Sequence, residues 1–84
     1  ALYFASFVGL RQSVDMLLDR GADANAQGGY YGNALYAASS EGHLEVVRLL
    51  LEKGADSTVA SNDGWTPLNA ASSRGYVDIM NLLL

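Results

Sequence analysis

The sequence predicts an all-α solenoid, built from pairs of antiparallel helices stacked side by side and about two and a half units long. Three observations carry this expectation. Gly9, Gly42 and Gly75 lie 33 residues apart, and the triplets Leu2, Leu35, Leu68 and Ala5, Ala38, Ala71 keep the same spacing. Each of these glycines separates a short run of small and apolar residues from a longer run with helical periodicity. Gly21 and Gly54, both followed by Ala-Asp, close the longer runs in the same register. A fixed period of this size marks a repeat array, in which a unit buries its apolar face only by stacking on a neighbour.

The units run over about residues 1–32, 33–65 and 66–84. In the first, Leu2 to Phe7 is a short helix broken by Gly9, and Gln12 to Arg20 a longer one, with Val14, Met16, Leu17 and Leu18 as its apolar stripe. Arg20 suits the negative end of the helix dipole, and Gly21 stops the helix. Ala22 to Gly32 has no helical period and reads as a connector, with Asp23, Asn25 and three glycines as its turn residues. In the second unit Asn33 is the N-cap of a short helix over Ala34 to Ser40. Gly42-His43 makes the corner, and a longer helix runs from Leu44 to Lys53. There Leu44, Val47 and Leu51 form a line that Val46, Leu49 and Leu50 widen. Ala55 to Trp65 is the second connector, with turn chemistry at Asn62-Asp63-Gly64. Thr66 caps the third short helix, Leu68 to Ser73, with Pro67 at its first position. Val77 to Leu84 begins the third long helix. Small residues recur in the short helices and bulky ones in the long helices, a difference that predicts a curved stack with short helices and connectors inside.

Composition narrows the function. With nine acidic and five basic residues the net charge is −4, which argues against a nucleic-acid surface. No cysteine is present, so neither a disulfide nor a thiolate metal site can form, and a reducing, cytoplasmic setting is expected. No apolar run nears the roughly 18 residues that span a bilayer, and no secretion signal is seen. The chain starts on Ala1 and stops within a repeat pattern, so it reads as a piece of a longer protein. A chain of 84 residues buries only about 60–65% of its unfolded surface, and marginal stability follows.

Catalytic chemistry finds little support. His43 is the only histidine, and although Ser39, Ser40 and Glu41 lie near it, no G-x-S-x-G elbow exists. At a helix corner its expected role is to hold backbone. One histidine and scattered carboxylates make no metal site, and no cofactor is expected. Gly28-Gly29-Tyr30-Tyr31-Gly32 lacks the lysine and hydroxyl residue of a phosphate loop and reads as a hairpin tip. Its aromatics, with Trp65, are binding anchors if exposed. Trp65 and Tyr31 have the alternative of packing at the connector base, whereas Tyr30 is expected in solvent.

The runs Gly64-Trp65-Thr66-Pro67-Leu68-Asn69-Ala70-Ala71, Gly75-Tyr76-Val77-Asp78-Ile79 and Gly42 through Asp56 together resemble ankyrin repeats, over nearly the whole chain. The resemblance implies connectors that extend as β-hairpins or long turns, and a protein–protein interaction module rather than an enzyme. It also implies that further repeats stack at both ends. The family's histidine after T-P-L, which ties neighbouring repeats, is replaced here by Tyr3, Tyr36 and Asn69. Asn25 to Leu35, with Ala37-Ala38-Ser39, is similar to ankyrin arrays of fungal receptor-like proteins that follow a nucleotide-binding NACHT domain. That narrower resemblance implies an alternative role, a sensor array packed on another domain of its own parent chain. Family register places partner contacts at the connector tips, Tyr30, Asn62, Asp63 and Trp65, and before the corner glycines, at Ser40, Glu41, Ser73 and Arg74. Phe7 and Val8 hold the same position in the first unit. A surface of aromatic, hydroxyl and charged groups suits a protein partner rather than nucleic acid or membrane.

Overall fold

A computed structural model describes residues 1–61 and 63–84. Among these residues there are six helices and no strand. They are α1 (Leu2–Val8), α2 (Arg11–Asp19), α3 (Ala34–Glu41), α4 (Leu44–Glu52), α5 (Pro67–Arg74) and α6 (Val77–Leu83). They pack as three pairs, with α1, α3 and α5 in one layer and α2, α4 and α6 in the other.

One backbone device makes every corner. Gly9, Gly42 and Gly75 adopt φ of 88°, 80° and 74°, left-handed angles that a β-carbon resists. The residue after each glycine then turns its N–H back into the short helix. Leu10 donates to the Ala5 carbonyl at 2.9 Å, His43 to Ala38 at 2.9 Å and Tyr76 to Ala71 at 3.0 Å. This C-cap bond satisfies carbonyls that a helix end otherwise leaves open. It also explains why glycine and alanine share one period. The alanine takes the bond on its carbonyl while its methyl is buried against the neighbouring short helices. The long helices end the same way, with Ala22 N–H bonded to Leu17 at 3.0 Å and Ala55 N–H to Leu50 at 2.9 Å.

The corner glycines have a second task. A β-carbon on Gly9 would lie 2.5 Å from the ring of His43, so the second unit closes directly onto the first corner. From there His43 Nε2–H donates to the Phe7 carbonyl at 3.0 Å. The histidine holds backbone as expected, though of the preceding unit rather than its own turn. Tyr76 covers Gly42 in the same way, whereas Gly75 has open space around it. On the far side Asn25 bridges units, donating to the Gly54 carbonyl at 3.0 Å and accepting from Asp56 N–H at 2.6 Å.

Two of the short helices, α3 and α5, start on side-chain caps. Asn33 Oδ1 accepts from Tyr36 N–H at 2.7 Å, and Thr66 and Asn69 bond each other's backbone in a reciprocal capping box. Several bounds differ from the sequence reading by one residue, mostly at C-terminal ends, where the left-handed glycines and the N–H bonds returned into the helix set the stop. Arg20 and Lys53 fall outside their helices as C-caps. Lys53 instead reaches Asp19 Oδ1 at 3.0 Å, tying α4 to α2. The core centres on Val14, Leu18, Leu35, Val46, Val47, Leu50 and Ile79. In α4 the most buried line is Val46, Val47 and Leu50, with Leu44 and Leu51 half-buried at its edges, because α4 touches α2, α3 and α6 at once. In α2 Met16 is exposed, not part of the stripe, since two residues beyond Val14 is about half a turn away, on the opposite face. Burial dominates the energetics: truncating a core leucine such as Leu50 costs about 2–5 kcal/mol, whereas the Lys53–Asp19 pair is solvent-exposed and screened.

Among the described residues neither connector forms paired strands. Gly28 N–H bonds the Gly32 carbonyl at 2.8 Å, and Ser61 N–H bonds Trp65 at 2.6 Å, the equivalent positions one period apart. The double task of the corner glycine gives a direct expectation. Gly75→Ala carries only the left-handed penalty, about 1–2 kcal/mol, while Gly9→Ala adds a clash with His43 and costs more. Urea unfolding of the two variants checks this, and equal midpoints would refute the close-approach role.

Candidate partner-binding groove

The first connector is built around Tyr31. Its N–H donates to Tyr3 Oη at 2.8 Å, fixing the loop to the first unit. Gly29, at φ 80°, crosses so close to the Tyr3 ring that a β-carbon there would lie 2.5 Å from it. The Tyr31 ring packs tilted against Phe7 (5.9 Å between centroids) and Tyr36 (5.4 Å), and edge-to-face with Tyr30 (5.0 Å). Such pairs add about 0.5–1.5 kcal/mol each beyond burial. The phenol donates to Glu41 Oε2 at 3.1 Å. The nearby Ser40 hydroxyl favours the phenolate. Burial and the adjacent Glu41 carboxylate act the other way and together prevail, so Tyr31 titrates above the usual tyrosine range and remains a donor.

The second connector repeats the plan with different side chains. Asp56 accepts from Thr58 through both its hydroxyl and its N–H, at 2.6 and 2.9 Å, which holds its pKa below the ordinary value. Ser61 Oγ accepts from Trp65 N–H at 3.3 Å and helps close the tip. Between the two tips and over α3 and α5 lies an open groove of about 700 Å³. Tyr30, Tyr31 and Trp65 line its upper part, and Ser40, Ser73 and Arg74 line it along the helices.

The structure brings most of the sequence-selected residues to this groove. Tyr30 is 86% exposed and Trp65 47% exposed, so the tryptophan is not packed away at the connector base. Asp63, Ser73 and Arg74 are also exposed along it. Ser40 differs from expectation: it faces the groove but is only 4% exposed. Its helix lies between α1 and α5, whereas Ser73, its equivalent, sits on the outer pair. Glu41 stands behind Tyr31 and reaches the site through that phenol. Asn62 lies outside the described residues. Sequence reasoning missed Tyr36, Ser61 and Ala70 as lining residues. Helical spacing was the available signal, since Tyr36 is one turn before Ser40 and Ala70 one turn before Arg74. Among the described residues no group of three or more His, Asp or Glu could hold a metal ion, and no helix is long and apolar enough to cross a membrane.

The family model for ankyrin repeats, in three copies, matches residues 1–84. The chain belongs to the ankyrin-repeat family. No curated protein matches it. Ankyrin repeats are generally non-enzymatic protein–protein interaction modules, and they bind protein partners. In this ankyrin array the three residues in the place of the family histidine make different contacts. Tyr3 bonds the next connector, Tyr36 packs on it, and Asn69 completes a capping box.

The Tyr31 phenol supplies a pH dependence. Its raised pKa means that the folded state holds this proton more tightly than the unfolded chain. The associated stability is therefore intact below about pH 10 and is lost as pH rises through the folded value. Tyr31→Phe is expected to flatten this alkaline decline. Thermal melts from neutral pH upward, compared between the two proteins, measure it.

Proposed function

We propose that this ankyrin array holds a protein partner in the groove between its two connector tips and along the inner faces of α3 and α5. The observation that carries this reading is the pair of aromatic side chains, Tyr30 and Trp65, left in water on successive tips above one groove. Tyrosine and tryptophan are the residues that most often dominate binding energy at interfaces. The groove is wide-mouthed, and hydroxyls, an arginine and a small Ala70 lie along it, which suits a side-chain-bearing segment of a protein. The mechanism is passive. The short-helix layer carries the small residues Ala5, Ala38 and Ala71, so in this reading the stack curves toward the groove side. Tyr31 is held by hydrogen bonds at both its N–H and its phenol, so little ordering remains to oppose association.

With a partner captured by photo-crosslinking at the tips, calorimetry on the Tyr30→Ala, Trp65→Ala double variant tests the proposal. Affinity should fall at least about thirtyfold, equivalent to about 2 kcal/mol, with helical circular dichroism retained. Unchanged affinity in a folded variant would show that the partner binds elsewhere.

A further inference from the structure

We infer that the groove is built to take an arginine side chain of the partner segment, an assignment that rests on the groove reading above. Three kinds of ligand chemistry compete for a groove with aromatic walls, and the other groups present decide between them. A purely aliphatic side chain would strip water from the Ser40, Ser73 and Asp63 oxygens and return no hydrogen bond, which is costly. An anionic side chain would find one cation, Arg74, whose charge reaches Tyr31. It would also meet Asp63 on the tip and a chain of net charge −4. A cation can pair with Asp63 in a chain of net charge −4 and meets tryptophan and tyrosine faces that attract positive charge.

Geometry favours arginine over lysine. Tyr30 meets Tyr31 edge-to-face, with ring planes at 75°, and is largely in solvent, so an open ring surface is available for a flat group to stack on. The planar guanidinium stacks on such faces while its five N–H donors remain free for carboxylate and hydroxyl oxygens, which a compact ammonium cannot match. Arg74 opposes the incoming charge, and its removal is therefore expected to strengthen binding.

A random-peptide display selection against the 84-residue chain, counter-selected on the Tyr30→Ala, Trp65→Ala variant, tests this directly. Arginine should be enriched at one position of the surviving peptides. Replacing it by citrulline, or changing Asp63→Asn in the protein, should then weaken binding about tenfold, and Arg74→Ala should tighten it. An acidic or aliphatic consensus would overturn the arginine assignment and leave the groove reading standing. So would citrulline binding as well as arginine, or Arg74→Ala weakening the arginine peptide. If no peptide survives the counter-selection although both proteins show the same helical circular dichroism, the groove reading fails with it.

Discussion

The fold depends on one bond made three times. Each corner glycine takes a left-handed angle, and the residue after it returns its N–H to an alanine carbonyl in the short helix. That bond reverses the chain within two residues and fixes how the long helix leaves. The next unit can then settle on the first, because the glycine has no β-carbon to keep His43 or Tyr76 away. The 33-residue spacing is the sequence image of this arrangement. It would be needed even if the rest of the core were repacked, since core burial tolerates exchange among similar apolar residues and a left-handed corner does not.

Onto this frame the first two units add an aromatic seam. Tyr3, Phe7, Tyr31 and Tyr36 contact one another from α1 through the first connector to α3. In place of the family histidine, this chain fixes its first connector with the Tyr3 hydroxyl and reaches the second unit through the Tyr31–Tyr36 ring contact. The seam does more than hold units together. It anchors Tyr31, and Tyr31 in turn orients Tyr30 outward and Glu41 toward the phenol. Structural support and the candidate surface are therefore parts of one assembly, and a substitution at Tyr3 or Tyr36 would disturb both.

The two connectors show how one backbone plan presents different chemistry. Their closing bonds are equivalent, yet one tip carries two tyrosines between glycines and the other an aspartate and a tryptophan. Repetition fixes where a side chain emerges, and the unit-specific residue decides what it offers. In an ankyrin array, a family whose repeats bind proteins, that division lets one stack present different side chains at its tips.

The sequence alone was sufficient for the helix pairs, their corners, the stacking register and the exposure of Tyr30. Each follows from local chemistry: glycine where φ is positive, alanine where a helix must be approached, caps where donors are free. Other features came only from tertiary packing. Ser40 and Ser73 occupy equivalent positions, but the first is covered because its helix is flanked on both sides. Met16 belongs to an apolar run and still faces water, because the rotation of α2 was set by Val14 and Leu18. His43 turned away from its own corner to bond the Phe7 carbonyl, a partner 36 residues earlier in the chain. Whether Trp65 packed or projected was open in the sequence, and the closure of its loop through Ser61 placed it at the groove. Local sequence determines conformations that cost or gain energy within a turn. Burial and long-range pairing depend on which surfaces meet, and that is decided only when the units stack.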